Sequence, residues 1–207
     1  MRLWKRGPAA FCGLAFVVLA ANLLLSLVPV VGIALSQIVL PLLECSLLYA
    51  SLAADRGDRP RMRHLVAVAG ARPRAMAAVV AASLLIFAAQ TVVAQAVGGV
   101  NLLFPASDLQ AMSGAALLAT YAAGIAVSLP LSFVPFAALF DAADFREAFV
   151  QSAAAFARNP APLILYGALS LALLMVGIAT SGLGLLLALP WSAAASYAAW
   201  KDVFGVA

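Results

Sequence analysis

Glu44 is the residue from which chemistry in this chain has to be argued. It stands in an apolar run that opens at Leu40-Pro41 and continues through Cys45 and Tyr49 to Asp55. An ionised carboxylate in hydrocarbon is costly, so a glutamate there is held neutral or paired. Gln37 and Ser51 lie seven residues to either side, which puts Gln37, Glu44 and Ser51 in one polar stripe of a helix with Pro41. Asn22 and Ser26 make a second stripe in the apolar run before it, and Ser83 and Gln90 a third in the run after it. Two readings follow. In one, the stripes line a water-filled or proton-binding cavity in which Glu44 titrates, with Asn22 or Gln90 as its partner. In the other, a neutral Glu44 is tied by interhelical hydrogen bonds worth about 0.6 kcal/mol each and holds helices in register. The second is favoured, because a later stretch of similar pattern has Ala193 three residues after Pro190, where Glu44 follows Pro41. A relay would also need a second intramembrane carboxylate, and the apolar runs contain none.

Catalytic signatures do not accompany this stripe. The chain holds no GxSxG, HExxH or GxxxxGKS/T pattern and no paired carboxylates, so the expectation is a non-enzyme without cofactor or metal. Cys12 and Cys45 fall in apolar runs as packing residues, and the single histidine, His64, has no ligand cluster around it.

A second kind of chemistry is basic. Residues 55 to 74 carry six arginines against Asp55 and Asp58; such groups fix topology, and each is worth about 1 kcal/mol beside an anionic bilayer surface. Arg6, Arg72 and Arg158 each precede a proline that opens an apolar run, as Arg6-Gly7-Pro8, Arg72-Pro73 and Arg158-Asn159-Pro160. Proline suits the first turn of a helix, and arginine at that depth reaches lipid phosphates. Between Asp141 and Ala157, Phe145, Phe149 and Phe156 share a face with Ser152, opposite Asp144, Glu147 and Gln151, and Asp144-Phe-Arg-Glu147 has capping-box spacing. That pattern predicts an interfacial helix. Met62 to Gly70 offers a weaker version. Arg6, Arg72, Arg158, Phe145 and Phe149 are therefore the expected contacts for membrane lipids, anionic at the cytoplasmic face, or for a protein partner or second copy. Nucleic acid is not expected, since the arginines lack interleaved aromatics.

The elements that must position these residues follow from composition. At 66% hydrophobic and 10% charged, with mean hydropathy +1.09, the chain is far too apolar for a soluble domain of 207 residues. Runs close to the roughly 20 residues that cross a bilayer occupy 9–28, 33–54, 75–97, 111–140, 161–180 and 183–200. The first continues into a turn at Pro29 to Gly32 and is read as a span, not a cleavable signal. The fourth is too long for one straight crossing, so Pro130 and Pro135 predict a kink, unless it tilts or starts near Ala115. With an internal N-terminus, all twelve Lys and Arg fall in segments 1–8, 55–74, 141–160 and 201–207, and Asp108 is the only charge in the outer connections. Trp4 and Trp200 then sit at the inner interface, and both termini are cytoplasmic. Ten arginines against two lysines in an alanine-rich chain hint at a bacterial source and hence its inner membrane.

Leu-Pro recurs at Leu129-Pro130 and Leu189-Pro190, with Asp141 and Asp202 following 11 and 12 residues after the prolines. This predicts a single all-α membrane domain, 1–207, of three repeated hairpins at about 1–54, 72–140 and 158–200, with cytoplasmic linkers 55–74 and 141–160. The Arg-Asn-Pro opening, the Gly-containing turn, the Leu-Pro in the return helix and the aromatic exit resemble an uncharacterised family of multi-pass bacterial inner-membrane proteins. They are similar also to the non-catalytic membrane domain fused to some glycerophosphodiester phosphodiesterases. The resemblance implies a membrane module, not a reaction; the arginine entrances and amphipathic helices then suggest a module that works through lipid or protein contacts. The alternative is a small-solute or ion transporter or channel that uses Glu44.

Overall fold

The computed structural model describes residues 7–103 and 112–205. Trp4, Arg6 and Asp108, named above, lie outside them, as do Arg2 and Lys5. Among the described residues all regular structure is helical: α1 (Pro8–Ser26), α2 (Val31–Asp55), a 3-10 helix (Met62–Gly70), α3 (Pro73–Gly98), α4 (Gly114–Leu131), α5 (Val134–Leu139), α6 (Phe145–Arg158), α7 (Pro160–Ala179) and α8 (Leu185–Phe204). Proline opens α1, α3 and α7, as the Arg-Pro pattern requires. Glycine in the left-handed region closes α3 at Gly99, φ 68°.

Five of these helices, α1, α2, α3, α4 and α7, are long and apolar enough to cross a membrane. The expected sixth, 183–200, is observed as α8, shifted to Leu185–Phe204, and does not reach the same apolarity. Leu183 and Gly184 are spent on the turn from α7. The helix takes in Lys201 and Asp202 at its other end, after Ser192, Ser196 and Tyr197.

Burial follows the logic of a lipid solvent. Phe16, Leu24, Leu85, Leu165 and Leu187 point outward, while Ala15, Ala50, Ala78, Ala137 and Ala148 are buried between helices. Lipid tails are as apolar as leucine, so helix association gains most where small side chains let backbones approach. Gly124 on α4 shows how close that approach is: the Gln90 side chain of α3 occupies the space where a Cβ would stand. At the α1–α2 turn Gly32 is required outright, since a Cβ there would collide with the Leu25 carbonyl oxygen.

The long fourth run is broken, as its prolines demand. Pro135 has no N–H to give and Pro130 cannot continue the ladder toward residue 126; α4 ends at Leu131 and the six-residue α5 starts at Val134. Ser152 of α6, fully buried, closes the break by donating to the Pro130 carbonyl at 2.7 Å and accepting from the Phe133 N–H at 3.0 Å. The turn redirects α5 into an aromatic core. Phe136 stacks on Trp200 at 5.4 Å, and Phe140 meets Tyr49 edge-on at 5.3 Å.

Charged segments meet at this same end of the bundle. Lys201 pairs with Asp55 at 2.7 Å, and the Tyr197 hydroxyl donates to the same carboxylate oxygen at 3.1 Å. Arg74 lies 3.8 Å from Asp144, and Gly7, just before α1, packs against the ring of Pro60.

Candidate functional site

Pro41 deprives α2 of one ladder bond, freeing the Gln37 carbonyl, and Pro190 does the same to Leu186 in α8. With the Pro130 break, the three Leu-Pro stretches come together. A cleft of about 180 Å³ is lined by Pro41 and Glu44 from α2, by Ser132 and Phe136 from the break and α5, and by Leu189, Ser192 and Ser196 from α8. Glu44 is exposed at its rim, and among the described residues no hydrogen bond or ion pair reaches its carboxyl.

The partners expected for Glu44 lie elsewhere. Asn22 is exposed on α1, Gln37 donates to Ser36 Oγ at 3.2 Å, and Gln90 fills the notch at Gly124. Ser51 is buried and donates to its own helix, at the Leu47 carbonyl, 2.8 Å away. Helical stripes are correct locally but say nothing of which faces meet. The polar groups that do face the Glu44 cleft are Ser132, Ser192 and Ser196. Their signal was present: Ser132 and Ser192 each stand two residues after a Leu-Pro proline.

A second cavity, about 370 Å³, adjoins the first, with Ser132 and Ser196 lining both. Its other walls come from the start of α7 and the end of α8, including Asn159, Tyr166, Leu163, Asp202 and Val203. The Tyr166 and Ser196 hydroxyls are hydrogen-bonded at 2.7 Å across these two helices.

The basic candidates sit on the surface. Arg72 and Arg158 are exposed. Arg72 and Arg74 border a third cavity, about 350 Å³, with Pro73, Ala138, Ala143 and Asp144. α6 has the predicted amphipathic form, and the Asp144 N–H lies 3.4 Å from a Glu147 carboxylate oxygen as the capping box requires. Its apolar face, however, is largely spent on protein: Ser152 and Ala155 are buried, and Phe149 and Phe156 pack on the core, leaving Phe145 and Val150 exposed. Phe145 and Phe149 remain in contact, 5.2 Å between rings.

Two titratable groups at this end are displaced from their ordinary ranges. Burial raises the Asp141 carboxyl, partly offset by the Trp200 indole, whose buried N–H meets no acceptor at hydrogen-bond distance among the described residues. Burial, and then the neighbouring Arg63, lower the His64 imidazole. Its Nδ1 accepts the Arg61 N–H at 3.1 Å. No protein-family model matches the chain, and no curated protein or solved structure is significantly similar to it.

Proposed function

We propose that the chain is a six-span, non-enzymatic module of a bacterial inner membrane, working through lipid or protein contacts at its cytoplasmic face. The observation that carries this is the distribution of charge. Apart from Glu44, every described Asp, Glu, Lys and Arg falls in 55–74, 141–158 or 201–202, and these segments meet at one end through the Asp55–Lys201 and Arg74–Asp144 pairs. Lys and Arg beside spans are retained on the cytoplasmic side. We read α8 as the sixth crossing; its start at a short uncharged turn and the Lys201–Asp55 pair near its end support that reading. Exposed Arg56, Arg59, Arg61, Arg63, Arg72, Arg74 and Arg158, beside the exposed Phe145, Met62 and Val66, make a basic surface with apolar points. Such a surface favours anionic headgroups. Impermeant thiol labelling of Asp58→Cys and Gly182→Cys in a Cys12→Ser, Cys45→Ser background tests the topology: position 58 must react only from the cytoplasm and 182 only from outside. Native mass spectrometry from mixed-lipid nanodiscs tests the surface. Arg72→Gln with Arg158→Gln must reduce retained phosphatidylglycerol, and unchanged retention refutes lipid contact at these arginines.

One observation favours a second reading, movement of a small solute. Glu44 opens on a hydroxyl-lined cleft and, among the described residues, is tied to no other helix, which removes the basis for its holding register. Flux in liposomes that Glu44→Gln abolishes is the expected result; flux unchanged in that variant rejects it.

A further inference from the structure

Small side chains leave a hollow at the start of α3, and both arginines of that start line it. The cavity, about 350 Å³, is walled by Ala75 of α3, Ala138 of α5 and Ala143 just before α6, together with Arg72 and Arg74. Ala75 and Ala138 are buried, whereas both arginines are exposed, so the charges stand on the open side of an apolar floor. Among the described residues that line the cavity, Asp144 is the one acid. It heads α6 in a capping box with Glu147. Its carboxylate lies 3.8 Å from Arg74, beyond hydrogen-bond distance, and the two side chains are 82% and 75% exposed. So loose a pair leaves the Arg74 guanidinium available to a stronger acceptor. The start of the helix itself supplies little. Pro73 has no N–H, and the Ala75 and Met76 N–H groups both donate to the Arg72 carbonyl, at 2.9 and 3.1 Å. Those two bonds fix the backbone that carries the arginines.

We infer that this cavity seats the phosphodiester of one anionic phospholipid, with Arg72 and Arg74 as its two cationic contacts. The inference rests on the lipid-contact reading of the cytoplasmic face, and it names the place and the headgroup chemistry. Two guanidiniums against one carboxylate leave a single positive charge in the cavity, which a singly charged phosphodiester balances. A free phosphate dianion would carry more charge than the cavity balances, and a cation would meet two guanidiniums. Each guanidinium offers paired N–H donors that match two phosphate oxygens. The arginines flank Pro73, at which an apolar helix of 26 residues begins. A phosphate held there sits at headgroup depth, with its acyl chains beside α3. Asp144 then competes with the phosphate for Arg74, which gives the cavity a behaviour that dispersed surface charge does not have.

Titration of dioctanoyl phosphatidylglycerol into the purified full chain in a neutral detergent, read by native mass spectrometry, tests this. The first lipid is expected to bind saturably. Arg72→Gln and Arg74→Gln are each expected to weaken it about fivefold, while Arg59→Gln, an exposed arginine outside the cavity, leaves it unchanged. Ala143→Leu keeps every charge and fills the cavity, so it must weaken binding comparably. Asp144→Asn keeps a good cap for α6 and removes the competitor, so it must tighten binding about threefold. Were Arg74 and Asp144 only a structural pair, Arg74→Gln and Asp144→Asn would act alike, and that result overturns the proposal. Should Ala143→Leu fail to fold, the opposite signs of those two variants still decide. Equal losses in Arg72→Gln and Arg59→Gln, or full affinity in a folded Ala143→Leu, assign binding to dispersed charge and overturn the cavity. Displacement by inorganic phosphate at the same concentration assigns the site to free phosphate and overturns the lipid. Loss confined to Arg158→Gln rejects the cavity and leaves the lipid-contact reading standing. No preference for phosphatidylglycerol over phosphatidylcholine rejects both.

Discussion

Replacing Ser152 by alanine removes one oxygen atom and leaves two backbone groups without partners. The Phe133 N–H and the Pro130 carbonyl lie at the α4–α5 break, 3.0 and 2.7 Å from the hydroxyl, and Ser152 is fully buried. The Phe133 N–H is shielded from water, while the Pro130 carbonyl is only part-buried. An unsatisfied buried donor costs about 1–3 kcal/mol, and the carbonyl, with a second lone pair, somewhat less. Side-chain hydrogen bonds between membrane helices average only about 0.6 kcal/mol, because the unfolded chain in the membrane finds substitutes. Here substitution is limited, since the Leu129 carbonyl, which the Phe133 N–H would reach in a continuous helix, already accepts from the Ser132 N–H at the break. The expected loss is about 2–4 kcal/mol. Unfolding in mixed detergent and SDS micelles, followed by tryptophan fluorescence, measures it, because Trp200 stacks on Phe136 just beyond the break. A loss below about 0.6 kcal/mol would refute the reasoning, since it would mean the break supports itself. Ser152→Thr, which keeps the hydroxyl, must retain the fold better than alanine if the hydrogen bonds are the cause.

Three further outcomes are expected. Gly32→Ala places a Cβ on the Leu25 carbonyl oxygen, a backbone atom that cannot step aside, so the α1–α2 turn opens at a cost of about 3 kcal/mol or more; Gly70→Ala, with open space around it, leaves the melting temperature unchanged. Asp55→Asn weakens the link to Lys201 and Tyr197, both ends of the ion pair being 24–30% exposed, by about 1–2 kcal/mol after allowance for solvent screening; a Lys201→Met double-mutant cycle measures the coupling. His64 sets a pH dependence: its folded pKa is lowered, so the unfolded chain binds the proton more readily, and its contribution to stability is present above pH 6.5 and lost as pH falls below that value toward the folded pKa. Melting temperatures from pH 7.5 to 5 should show this decline flattened in His64→Gln; an identical slope in both proteins would exclude His64 as its source.

Much of the architecture was legible because the bilayer makes span and loop chemically distinct. Pro8, Pro73 and Pro160 open their helices where the Arg-Pro pattern put them, and Pro130 and Pro135 break the fourth run as expected. The sixth run is displaced by two residues at its start and four at its end: Leu183 and Gly184 fall in the turn, and the helix continues past Trp200 through Lys201 and Asp202 to Phe204. The candidate site was less legible. Helical period put Gln37 on the Glu44 face and Asn22 and Gln90 on faces of two other helices, but it fixes a residue's face and not the neighbour of that face. Ser132, Ser192 and Ser196 join Glu44 through long-range packing, for which the Leu-Pro recurrence is the one local sign. Phe149 and Phe156 satisfied an amphipathic pattern that lipid and protein fill equally well; packing against the α5 break decided for protein.

Ser152 lies 19 and 22 residues beyond the two backbone groups it joins. During synthesis the fourth helix therefore leaves the ribosome before the residue that secures its bend. In that interval the α4–α5 bend lacks its Ser152 hydrogen bonds, and Phe136, Phe140 and their aromatic partners on α8 have not yet met, since Tyr197 and Trp200 are made later still. The aromatic core at this end of the bundle is thus completed only when its last-made members on α8 arrive. A pause or truncation between residues 140 and 152 leaves the bend without the hydroxyl that secures it.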